Sequence, residues 1–287
     1  MTDLVIPNDG PRVEPLGRHQ VNAYVRSEYD KSIHTWGIPN NLIRTMACLP
    51  QLGLTEVDYA NSFIFDESTY GSWPDPAGSE QSVMFPMAGF VDRVTKELVI
   101  NLVSLLNRSR YSITHHTVIG FSTLSQAEGP PKAEQMLLKL VNSDGEATFE
   151  HRGDLYSNFQ IETLKFALKV RERAHSVSDD DFVRLKELCE LEATSMLENK
   201  AELATQELAS TPEYKQAFVN GMLVELTWCI VHFSGLLNTW FTLIKVMDET
   251  DEQRDGINFV GVYNDVVPES IKVRNNALLG ADGWGNN

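Results

Sequence analysis

Apolar residues recur at three- and four-residue spacing over long stretches of this chain, the pattern of helices that turn one face to a core. Between Phe90 and Leu106, Val91, Val94, Leu98, Leu102 and Leu105 form such a stripe, and Val99, Val103 and Leu106 broaden it. A helix buried on most sides is predicted there. The more polar segment from Ser109 to about Leu124 reads as the next helix, and a short one follows over 132–141 between two breaks, "QAEGPPKAEQ" and "NSDGEATFEHRGD". "NFQIETLKFALKVRERA" is amphipathic, with Ile161, Leu164 and Leu168 on its face and Arg171 at the edge. Ser178 then offers an N-cap with Asp181 three residues on, a capping-box variant, ahead of Phe182, Leu185, Leu188 and Cys189 at helical spacing. Thr211 as cap and Pro212 at the first helical position start a last long helix that runs to about Met247. Gly221 and Gly235 inside it are expected close-packing points or kinks.

The rest of the chain carries weaker signals. Residues 1–34 read as an extended N-terminal arm, 35–250 as one helical domain and 251–287 as a tail. "IPNNLIRTMACL" reads as a helix with Pro39 tolerated in its first turn, and residues 66–89 as loop. The end of the tail, "NNALLGADGWGNN", either stays loose or is pinned through Trp284. No alternating strand pattern of useful length and no internal repeat is found, so the predicted fold class is all-α.

Composition narrows the function classes. The 287 residues are 42% hydrophobic and 22% charged, ordinary for a globular protein, but the net charge is −16. That argues against nucleic-acid binding and against docking on an anionic membrane. Cys48, Cys189 and Cys229 form no CxxC and read as reduced, mostly core thiols of a cytoplasmic protein. The first residues lack a secretory signal pattern. Residues 226–244 carry no formal charge and are long enough to span a bilayer. Their His232, Ser234, Asn238 and three threonines favour a buried or subunit-interface helix instead. His232 reads as a core histidine, and Trp228, Trp240 and Phe241 as core or interface. Asp179, Asp180 and Asp181 fit helix-start electrostatics rather than a calcium loop. "DETDEQRD", from Asp248, reads as a solvated acidic helix end.

The candidate chemistry lies in "NRSRYSITHHTVIG", directly after the apolar "KELVINLVSLL". On a helix from Ser109, the residues Ser109, Ser112 and His116 share one face, and His115 lies about 100° round from His116. Glu97 sits twelve residues before Ser109 on the preceding helix. The spacing Glu-x11-Cys-x2-Cys-x3-His is the signature of the alkyl hydroperoxidase D-like (AhpD-like) families of the carboxymuconolactone decarboxylase superfamily. The chain resembles it, with Glu97, Ser109, Ser112 and His116 in the four places and Tyr111 and His115 like the family's "YC..HH" form. "IPNNLIRTMACLPQLG" and "ETLKFALKVRERAHSVSDDDFVRLK" resemble segments of its peroxidase-related branch.

The resemblance covers roughly residues 35–247 and implies an AhpD-like helical fold and a homo-oligomer. Serine cannot replace the redox thiols, because it has no sulfenate or disulfide chemistry. It implies instead a non-redox lyase, isomerase or hydrolase acting on a small organic acid, lactone or carbonyl compound. Glu97 and His116 would do acid–base work, with Ser109, Ser112, Tyr111 and His115 around the substrate and no cofactor or metal. Other readings stay open. Glu97, His115 and His116, with His34 or His151, are metal-ligand types, although adjacent histidines on one helix diverge. Ser109 or Ser112 could be a nucleophile activated by His116. The chain could be a Cys→Ser form of a thiol peroxidase. Or the same groups satisfy one another in a catalytically degenerate protein with a structural or binding role.

Overall fold

Helix starts are where the sequence acts most directly. Asp92, Ser157 and Thr211 each accept a backbone N–H from the first turn of the helix they precede, and Ser157 forms a full capping box with Gln160. In the computed structural model described here, residues 2–7, 9–36, 40–49, 55–56, 70–74, 78, 82–86, 89–199, 211–250 and 258–284 are described. Helices α1 (Ala23–Trp36) and α2 (Asn41–Met46) precede a two-stranded antiparallel ribbon, β1 (Tyr70–Pro74) and β2 (Ser82–Pro86), with Tyr70 opposite Pro86. Then come α3 (Arg93–Leu106), α4 (Arg110–Glu128), α5 (Pro130–Leu138), α6 (Asn158–Arg173) and α7 (Asp179–Asn199). Helix α8 (Pro212–Val231) continues through a π-helical turn, His232–Leu237, into α9 (Asn238–Ile244). Helices α10 (Phe259–Val266) and α11 (Glu269–Leu279) close the chain. The fold is all-α, with the small ribbon as its one sheet among the described residues.

Helix α3 is the centre. It packs against α4, α6, α8 and the π turn, and Leu98, Val99, Ile100, Leu102 and Val103 are fully buried. A tight turn through Arg108, at φ 50°, folds α4 back onto α3. On its other sides α4 meets α5, α9 and α10. Gly221 is a true close-packing point: a Cβ there would lie 2.5 Å from the Phe90 ring. Gly235 falls inside the π turn, in open space. The apolar window of the Pro212–Ile244 helix is 56% buried against other helices, while Val224, Trp228, Val231, Leu236 and Leu243 remain exposed.

Several expectations change. Residues 23–34 of the expected arm belong to helix α1, held by Val25 and Tyr29 one turn apart. Part of the expected loop over 66–89 is the β ribbon. The tail beyond 251 contains α10 and α11, whose buried Lys272, Arg274 and Asn275 blur the apolar stripe. Its end is pinned: Trp284 is 5% exposed, and its Nε1 donates to Asp9 Oδ1 at 2.7 Å. Helix α2 ends at Met46, short of the predicted stretch, and Pro39 lies outside the described residues. Phe182 is 41% exposed, off the buried face of α7; of the three thiols, expected mostly in the core, Cys189 and Cys229 are buried and Cys48 is exposed. The largest correction concerns the start of the acidic run, whose residues 251–255 lie outside the described residues. Asp248 and Glu249 are 2% and 4% exposed, because each has a cation on α4 to meet.

Candidate active site

A polar seam crosses the otherwise apolar α3. Arg93, Glu97, Asn101 and Ser104 follow at spacings of four, four and three, so they line one face toward α4. Asn101 staples the two helices, donating from Nδ2 to the carbonyls of Glu97 at 2.9 Å and His116 at 2.8 Å. Gly120 leaves the space for it, since a Cβ there would stand 2.5 Å from that nitrogen. This close approach sets Glu97 Oε2 3.1 Å from His116 Nδ1, the pairing that the sequence spacing anticipated.

Glu97 is fully buried, and Arg93, one turn earlier, binds its other oxygen. Burial pushes the Glu97 carboxyl up. The Arg93 guanidinium and His116 outweigh that and hold it below the usual carboxylate range. An ionised Glu97 fixes the tautomer of His116 by accepting from Nδ1–H, which leaves Nε2 as the basic nitrogen. Among the described residues Nε2 has no hydrogen-bond partner. The edge of Phe233, from the π turn, packs on this imidazole at 4.9 Å and 82°. The π turn thus delivers an apolar wall to the site.

The two serines lie beside this pair but do not bond to it. Ser112 Oγ is 2.7 Å from Ser104 Oγ, which also accepts from Asn238 Nδ2 at 3.3 Å. Ser109 is the N-cap of α4 by backbone conformation, yet its hydroxyl caps nothing and is sealed without a partner. Neither hydroxyl hydrogen-bonds to His116, so the geometry offers no serine–histidine couple for nucleophilic attack.

Tyr111 and His115 belong to a second cluster on another face of α4. Tyr111 Oη donates to Glu249 Oε1 at 3.0 Å, and His115 Nε2 meets Glu249 Oε2 at 2.7 Å. His115 Nδ1 lies 2.8 Å from the Tyr111 carbonyl. Both ring nitrogens of His115 therefore face acceptors, a demand that only the doubly protonated ring meets. Burial alone would lower the pKa of His115. Glu249 and Asp248 overcome it and raise it, while His115 in turn keeps Glu249 low despite burial. The ring is sandwiched by Tyr111 at 4.0 Å and Phe259 at 4.1 Å, both stacked. Arg110 Nε pairs with Asp248 at 2.7 Å beside it.

No metal-holding group of three His, Cys, Asp or Glu side chains occurs among the described residues. His115 and His116 address different carboxylates, and His151 is exposed. The side chain of His34 lies outside the described residues. His232 is buried, with Nε2 3.5 Å from Glu56 Oε1. Sequence reasoning found Glu97 and His116 but missed Arg93, Asn101 and Ser104. Their signal was present as four polar residues at helical spacing in an apolar helix. Glu249, Asp248, Phe233 and Phe259 carried no local signal.

Two solved structures resemble this fold. One is the alkylhydroperoxidase AhpD core, an uncharacterised peroxidase-related protein from Ralstonia eutropha JMP134. It is 15% identical, with 84% of this chain and 93% of that one covered, at a TM-score of 0.50. The other is an uncharacterised peroxidase-related protein from Silicibacter sp. TM1040, 12% identical, with 89% and 96% covered, at a TM-score of 0.46. No protein-family model and no curated protein matches the sequence. The chain has the AhpD-like fold.

Proposed function

We propose that this protein is a non-redox acid–base enzyme, a lyase or isomerase of the carboxymuconolactone decarboxylase type, acting on a small organic acid, lactone or carbonyl compound. One observation carries the reading: a buried, ionised Glu97 holds His116 Nδ1 at 3.1 Å and leaves Nε2 without a hydrogen-bond partner among the described residues. His116 Nε2 would take the proton from a carbon next to a carbonyl, and Glu97 would stabilise the imidazolium formed. Returning that proton to another carbon isomerises the substrate. In a decarboxylation, His116 Nε2 would first take the proton of the substrate's carboxylic acid; the carbon–carbon bond to the leaving CO2 then breaks, its electron pair forms an enolate, and the imidazolium returns that proton to the carbon. Serines at 109 and 112 fit this reading, since no thiol is needed.

The test is a panel of β-keto acids and unsaturated lactones, followed by CO2 release and ultraviolet absorbance. Wild type should turn over a member of the panel, and His116→Gln should lose roughly a hundred-fold or more in kcat at retained fold. Equal turnover by wild type and His116→Gln would overturn the reading. A structural role is the second reading. Its support is that Ser112 bonds across the helices to Ser104 rather than to His116. It predicts a drop in Tm for His116→Gln with no activity to lose. A homo-oligomer built through the exposed face of Val224, Trp228 and Val231 accompanies the proposal, and light scattering on the purified chain measures it.

A further inference from the structure

The N-terminal residues lie against α10 and α11 in a way that resembles ligand binding more than core packing. In an extended strand, the carbonyl of one residue and the N–H two residues on point to the same side. The side-chain amide of Asn276 on α11 brackets that pair: Nδ2 donates to Asp3 O at 2.7 Å, and Oδ1 accepts from Val5 N–H at 3.1 Å. From the opposite side, Asn264 on α10 accepts from Leu4 N–H at 3.0 Å. Glu269 accepts from Thr2 N–H at 2.6 Å, and Arg110 donates to the Val5 carbonyl. These side chains read the backbone of residues 2–5, whatever their side chains. Selectivity comes from anchors. Leu4 is 3% exposed and Pro7 is buried, while Ile6 between them is 54% exposed. Asp9 ends the segment, with one oxygen on Trp284 Nε1 and the other on Lys245.

We propose that the groove between α10 and α11 is a binding site for an extended peptide segment, and that residues 2–7, with Asp9, are its built-in, exchangeable occupant. Backbone bonds supply affinity and the two buried side chains, Leu4 and Pro7, supply choice, the logic of strand recognition by grooves. The preferred occupant is an extended segment with an aliphatic anchor, a proline three residues on and a carboxylate two residues after that. Arg110 links the groove to the candidate site, because it bonds at once to Val5 O, Gly283 O and Asp248 and is the first residue of the helix that carries His116.

The test uses the full chain with a protease site placed at Gly10, which is exposed with open space around it. After cleavage, a fluorescein-labelled peptide of residues 1–10 is titrated and followed by anisotropy. The expected result is saturable one-to-one exchange, weakened about ten-fold by Asn276→Ala, which removes two hydrogen bonds. Absence of saturable binding overturns the proposal, as does equal affinity for the Asn276→Ala protein. A cleaved protein that unfolds and is not refolded by added peptide also overturns it. Hydrogen exchange on the uncut chain gives an independent reading. The amides of Leu4 and Val5 should exchange far faster than the core amides of α3, and exchange of both only at the rate of global unfolding overturns the proposal.

Discussion

Glu249→Gln is the sharpest probe of the interior. Glu249 is 4% exposed and accepts from three groups: the Asn41 N–H, the Tyr111 hydroxyl at 3.0 Å and His115 at 2.7 Å. Glutamine keeps the volume but replaces one accepting oxygen with a donor and removes the charge that holds His115 protonated. Removing one partner of a buried pair costs about 3–5 kcal/mol when the survivor must stay charged. Here the survivor can discharge, so the cost depends on pH. His115 has a raised pKa in the folded chain, so its contribution is complete below its ordinary value near ~6.5 and is lost as pH rises through the folded value. Glu249 has a lowered pKa, so its contribution is complete above the ordinary carboxylate value near ~4.3 and is lost as pH falls through the folded value.

Both contributions are complete between those two ordinary values. Urea unfolding of wild type and Glu249→Gln at pH 6 should then differ by about 3 kcal/mol, and the difference should be smaller at pH 9. A pH-independent loss under about 1 kcal/mol would falsify the charged-pair assignment for His115.

Three further outcomes follow from single contacts. Ser109→Ala removes a sealed, unpartnered hydroxyl and should leave stability unchanged or raise it by up to about 1 kcal/mol, whereas Ser112→Ala leaves Ser104 short of a partner and should cost about 1–2 kcal/mol. Urea midpoints measure both, and reversal of the order refutes the network. Gly120→Ala places a Cβ 2.5 Å from Asn101 Nδ2, displaces the staple from both carbonyls and should cost about 1–3 kcal/mol despite the better helix propensity of alanine. A stabilised variant in thermal unfolding would show that the two helices are not held this closely. With a thiol-reactive dye at pH 8, the native chain should label once and quickly, at exposed Cys48. Burial pushes the thiols of Cys189 and Cys229 up to about 12, and they should label only on denaturation.

What the sequence made legible divides along physical lines. Helices α3, α6 and α8 were legible from their apolar residues at helical spacing: α8 starts behind the expected cap Thr211, α6 at the first residue of its amphipathic segment, and α3 three residues after the expected Phe90. Ser178 and Asp181 cap α7 reciprocally as expected. Helix α11 hid because its buried face mixes Ile271, Leu278 and Leu279 with Lys272, Arg274 and Asn275. Arg274 reaches the carbonyls of Leu137 and Val141, and Asn275 reaches Thr117 and Tyr263, so a hydrophobic count sees no helix there. The Glu97–His116 pair could be found because it lies within one helical hairpin, where spacing fixes geometry. The second carboxylate could not. An acidic run rich in Asp and Glu looks solvated unless one knows that Arg110 and His115 stand above it, and that juxtaposition spans 134 residues of chain or more.

The contrast between two adjacent histidines decides which of them can do chemistry. His115 and His116 are equally buried, at 8% exposure each, and each has a glutamate. A proton-transfer group must be able to exist in two protonation states and must have a nitrogen that substrate can reach. His115 fails the second condition: both nitrogens are engaged by acceptors, and stacked aromatic rings cover both faces. In His116, Glu97 holds one nitrogen while the other has no hydrogen-bond partner among the described residues, beside the Phe233 ring. The hundred-degree step between neighbouring helical residues thus separates a structural cation from a catalytic candidate. The same step explains why these two histidines do not close on one metal ion. Were activity found, substitution of His116 should abolish turnover at retained fold, whereas substitution of His115 should act through stability, with kcat of the folded fraction little changed.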